Sequence, residues 1–163
     1  MRAVGYRLYG VVGNAGILGN LRHPSMHPIH WLRHGLGLCA VRTEAVADEP
    51  LAETPGELAH LTTSVLGYVQ EVSHLTPVVY VTADFAGGRG EQAACGWSEG
   101  VIVLGPLTSH HDRPPRPPRR FLRRSHETTG AIDTALRWLG IPGARRYDRF
   151  AAVGLGARRD WEQ

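Results

Sequence analysis

The sequence predicts a single α+β domain with a mixed or mainly antiparallel sheet and two to three helices packed on one face. Three observations carry this expectation. Strand-like runs come in groups rather than in strict alternation with helices, one segment repeats apolar residues at helical spacing, and 163 residues suit one core better than two. Hydrophobic residues make up 42% of the chain and charged residues 20%, which sits near globular norms and excludes a disordered or fibrous class.

Residues 4–13, VGYRLYGVVG, interleave apolar and aromatic residues with polar or glycine positions and read as a first strand. Asn14 then opens a short turn or helical piece through Leu21. Pro24 and Pro28 remove amide donors and fix φ, which makes 22–28 a loop. A strand pair follows at 29–33 and 36–43, joined by Arg33-His34-Gly35, and residues 46–56 form an acidic, proline-interrupted linker. Leu58, Leu61, Val65, Tyr68 or Val69, and Val72 then predict a helix of about five turns that Thr76-Pro77 ends.

Val78 to Phe85 is β-branched and aromatic, too stiff at χ1 to prefer helix. Ala86 to Gln92 reads as a glycine-rich loop, and Gln92 to Trp97 with Val101 to Leu104 as a hairpin across Ser98-Glu99-Gly100. Gly105-Pro106 closes that hairpin, and residues 107–126 form a flexible Arg/Pro-rich loop. Thr128 or Thr129 can cap a helix whose stripe is Ile132, Leu136 and Leu139. Gly140 and Pro142 stop it, and a short helix at about 146–152 precedes a glycine-rich tail and a polar terminus.

All 18 cationic residues are Arg, which reports a GC-rich genome more than a structural demand. The net charge of +3 is unevenly spread. Residues 1–104 carry six Arg against nine acids, whereas residues 110–126 alone place six Arg beside one Asp. Cys39 and Cys95 have no metal-ligand spacing and read as reduced, buried thiols of a cytoplasmic protein. No apolar run reaches the roughly 18 residues of a membrane span, and the N-terminus lacks a signal-peptide core.

Established catalytic signatures are absent from the chain, so the candidate residues rest on local chemistry. The glycine cluster could present backbone amides to an anion beside Arg89, but it lacks phosphate-loop spacing. Asp84 and Glu91 are candidates for acid/base work or a divalent cation, and with a histidine they define a small metal-dependent or acid/base hydrolase as one alternative. His30 and His34 would share a side if 29–34 were a strand, making them metal candidates. Arg116, Arg119 and Arg120 lie in a run that suits an aromatic groove on a protein or the phosphates of a nucleic acid. The main expectation is a non-enzymatic protein-binding module without a cofactor, contacting its partner through Arg89, Glu91, Gln92 and the Arg/Pro loop, with Trp97 anchoring the hairpin by packing.

The string from Asp84 to Trp97, DFAGGRGEQAACGW, followed by IDTALRWLGI at 132–141 and DRFAAVGLG at 148–156, resembles a group of small actinobacterial proteins of no settled activity. In that group an FGG-G-Q-A-W hairpin, an LG-ending helix and a D-F-GLG tail recur. The resemblance implies a shared fold and no particular chemistry. Ala86 and the Arg/Pro insertion at 113–120 depart from the pattern. Small bacterial domains without catalytic motifs often serve as interaction modules, including immunity proteins that block a toxin, which is an analogy of type rather than of residues.

Overall fold

The computed structural model describes residues 5–86, 89–112, 130–143 and 149–162. In these ranges β1 (Tyr6–Asn14) leads into α1 (Ala15–Asn20), β2 (His30–Trp31), β3 (Leu36–Ala40) and α2 (Thr63–Ser73). Then come β4 (Val78–Ala86), β5 (Arg89–Ser98), β6 (Val101–Asp112), α3 (Ala131–Trp138), α4 (Arg149–Ala152) and a 3₁₀ turn at Leu155–Ala157. The strands form one six-stranded sheet in the order β2-β3-β1-β4-β5-β6. Every strand pairing in it is antiparallel, which fits the expected mixed or mainly antiparallel sheet of an α+β domain.

Helices cover both faces, not one. Val79, Val81 and Ala83 of β4 pack with Ile132, Ala135 and Leu136 of α3, whereas Val78 and Tyr80 pack with Val65, Tyr68 and Val72 of α2. Successive side chains of a strand point to opposite faces, so the unbroken buried run from Val78 to Ala83 has one partner helix for each parity. The physical reason for the correction is visible in β4 itself: a strand buried on both faces loses the polar alternation that marks a half-exposed one.

Helix α2 is shorter than its apolar spacing suggests. Thr62 caps it, accepting a hydrogen bond from the Val65 amide at 3.5 Å, and the Glu49 carboxylate accepts from the Ser64 hydroxyl just inside the first turn. Leu58 and Leu61 are buried beside α2 in irregular chain rather than as its first turns. Their spacing reported burial correctly and backbone wrongly. The N-terminus of α3 is served from the sheet: the Ala131 amide donates to Ser109 Oγ at 2.9 Å and the Ile132 amide to Gln92 Oε1 at 3.3 Å. Thr128 and Thr129, the expected caps, lie outside the described residues.

The expected loop at 86–92 is mostly strand. β4 and β5 pair as far as Ala86 and Arg89, because Phe85 stands directly opposite Gly90 and lays its ring over that residue, where a Cβ would fall inside the ring. Aromatic cover of a strand glycine holds the ladder where the glycine alone would weaken it. The next hairpin turns at Glu99 and Gly100, whose φ values of 51° and 82° give the two left-handed central residues of a type I′ connection. Strand β6 then continues to Asp112, past register shifts opposite Ala94 to Trp97, so residues 107–112 belong to the sheet and not to a loop.

The terminus is not a loose tail. Trp161 is buried, its Nε1 donates to the Tyr6 hydroxyl at 3.1 Å and to the Leu155 carbonyl at 3.2 Å, and the Arg7 amide donates to the Arg159 carbonyl at 2.8 Å. On the described residues no helix is long and apolar enough to cross a membrane.

Candidate functional site

Register builds the site. Arg7 of β1 stands opposite Asp84 of β4, Asp84 opposite Glu91 of β5, and Glu91 opposite His110 of β6. Directly opposed residues in an antiparallel sheet share a face with their Cβ atoms about 4.5–5.5 Å apart, so one row across four strands carries a cation, two carboxylates and an imidazole. All four side chains are exposed. They share the parity of Thr82 and Tyr80, which puts them on the α2 face, beyond the part of the sheet that α2 covers.

Two like charges placed opposite each other repel, and Arg7, a fixed cation opposite Asp84, offsets part of that cost. The Tyr9 hydroxyl adds a third partner by donating to Asp84 Oδ2 at 3.3 Å. Partial burial of Tyr9, reinforced by the Asp84 carboxylate beside it, raises the pKa of the phenol and keeps it a donor.

Beside the row lies a cleft of about 180 Å³ whose walls include Arg7, Tyr9, Thr43, His60, Asp160 and Glu162. It forms because β3 leaves β1 after Ala40, with the Val41 amide still bonded to the Tyr9 carbonyl, and the C-terminal segment takes up pairing at Arg7 through a bridge to Asp160. Glu162 is clamped by Thr43, whose amide and hydroxyl each donate to its Oε1 at 2.6 Å. His60 holds φ 60° and sets its ring edge-on to Tyr9, centroids 4.5 Å apart. His27 Nε2 is buried without a hydrogen-bond partner among the described residues and stands 3.9 Å from Glu162 Oε1, close enough for an ion pair and too far for a hydrogen bond.

Of the residues singled out in the sequence, the sheet brings Asp84 and Glu91 together and adds a histidine, His110, that sequence reading left unspecified. Arg89 is exposed at the end of the same hairpin. Gln92 is a correction: odd and even positions of β5 face opposite ways, so it is buried under α3 as a cap and presents nothing to a partner. His30 and His34 do not share a strand, since β2 spans His30–Trp31 alone and His34 sits in the following turn at φ 60°. The His30 ring packs 5.5 Å from Trp161, and burial followed by nearby Arg158 lowers its pKa.

Arg116, Arg119 and Arg120 lie outside the described residues. No group of three or more His, Cys, Asp or Glu among the described residues could hold a metal ion. Cys39 and Cys95 are free and buried, as expected, and burial pushes the Cys95 thiol up to about 11. Arg7, Tyr9, His60 and Glu162 were missed by sequence reasoning. The one available signal was an Arg inside an apolar strand with Tyr9 two residues on, which puts both on one face. No family model, curated protein or solved structure matches this chain.

Proposed function

We propose that this chain is a non-enzymatic protein-binding module of regulatory or immunity-like type, acting in the cytoplasm of a GC-rich bacterium. Its contact surface is the exposed row Arg7, Asp84, Glu91 and His110, extended by Arg89 at the hairpin end. The single observation behind this reading is the register that lines four ionisable side chains across four strands. Charges fixed on a rigid ladder favour orientation and choice of partner, because complementary groups steer encounter and like charges exclude wrong partners. The open setting supports recognition over acid/base catalysis, which works best in a concave and partly dry site.

The test is affinity capture from a lysate of the source bacterium with the wild-type chain and an Asp84→Arg/Glu91→Arg variant whose melting temperature matches it. A stoichiometric partner whose yield falls at least tenfold with the variant is the expected outcome. Equal capture by both proteins defeats the assignment of this surface.

A further inference from the structure

We infer that the cleft between β1, the exit of β3 and the C-terminal segment binds a small zwitterion, a free α-amino acid, with its carboxylate on Arg7 and its ammonium group on Asp160 and Glu162. The inference concerns the cleft and not the outward row, with Arg7 the one residue common to both. A volume of about 180 Å³ falls below the roughly 300–1,000 Å³ of sites for drug-sized molecules and suits a metabolite of about ten heavy atoms or fewer.

Both signs of charge face this volume with capacity left over. The described hydrogen bonds and ion pairs leave the Arg7 guanidinium without a carboxylate, and Asp160 spends only Oδ1, on the Glu162 amide at 3.0 Å. A guanidinium takes a carboxylate through two parallel N–H donors, and an ammonium group needs acceptors such as Asp160 Oδ2, with the second lone pair of Glu162 Oε2, which already accepts from the Thr43 hydroxyl at 2.7 Å, beside it. Arg7, Asp160 and Glu162 all line the same volume, which places the two signs around one small space.

The walls are also held in advance. Thr43 fixes Glu162 with two donors, and the Tyr80 hydroxyl donates to the Ala59 carbonyl at 2.6 Å, tying down the turn that carries His60. His60 keeps a left-handed backbone that a non-glycine residue adopts at a cost, a condition that clusters at ligand sites. Walls fixed beforehand lose little freedom on binding. Four chain-remote segments converge here, which a chance surface dimple does not require.

The experiment is isothermal titration of the full chain with each of the twenty L-amino acids, followed by the decarboxylated amine and the deaminated acid of the tightest binder. One amino acid should bind with a millimolar or tighter constant, while each half-molecule binds at least tenfold more weakly. Arg7→Gln and Asp160→Asn should each weaken binding at least tenfold, and Glu71→Gln, exposed on α2 and outside both the cleft and the row, should leave it unchanged. If Arg7→Gln fails to fold, Asp160→Asn alone carries the comparison, because its amide oxygen can still accept from the Glu162 amide. Absence of saturable binding by all twenty, equal binding of a half-molecule, or wild-type affinity in Asp160→Asn would overturn the inference.

Discussion

Gly90 shows how much a single hydrogen atom in place of a methyl group can decide. With Phe85 directly across the ladder and its ring lying over the glycine, a Cβ at Gly90 has no space unless the ring leaves. Gly90→Ala should therefore destabilise the chain by about 1–3 kcal/mol through overpacking, and removing the ring first should shrink that cost. A double-mutant cycle of Gly90→Ala and Phe85→Ala, read by urea unfolding, measures this coupling; additive effects would refute the account. At the same scale Trp97 is fully buried against α2 and anchors the hairpin by packing, as its sequence position suggested. Asp84 and Glu91 were legible as chemistry-bearing residues. Their adjacency was not, because seven positions of chain separate them and only the register of β4 against β5 decides which side chains end up opposed.

Element boundaries followed local chemistry where a cap or a stiff run set them. Asn14 accepts from the Ile17 amide at 3.1 Å and starts α1 as read, and the stiff run at 78–85 is strand. The boundary failed for α2, whose start was read from apolar spacing although buried side chains can recur at that spacing in irregular chain. For α3 the caps come from 22 and 40 residues upstream: Ser109 and Gln92 reach across from the sheet to its first two amides. Gln92→Leu should cost about 1–2 kcal/mol by leaving the buried Ile132 amide unsatisfied, and amide exchange in the first turn of α3 should rise more than in α2. Equal exchange in the two helices would show that the cap is idle.

The whole molecule is a sheet closed on both faces by helices and along part of β1 by its own C-terminus. Trp161 joins that terminus to Tyr6, Leu155 and the His30 ring, and Glu162 ties it to Thr43. Trp161→Ala should cost about 3–5 kcal/mol, the range for losing a large buried aromatic. It should also widen the cleft and free Glu162, which thermal unfolding and the chemical shifts of Thr43 can follow together. Unchanged Thr43 shifts would mean that the terminus holds its place without the ring. None of this closure could be read from the last residues, which look polar and glycine-spaced as a string.

The sequence alone determined the α+β class, the positions of the central strand and of the core of each helix, the tight turn at Glu99-Gly100 and the buried thiols, because stiffness, capping and burial act over a few neighbouring residues. Tertiary structure alone decided that helices cover both faces, that Gln92 turns inward while Glu91 turns outward, and that Arg7, Asp84, Glu91 and His110 fall in one row. Those outcomes depend on strand register and on contacts between residues up to 155 positions apart, and a shift of one residue in register would send every side chain of a strand to the other face.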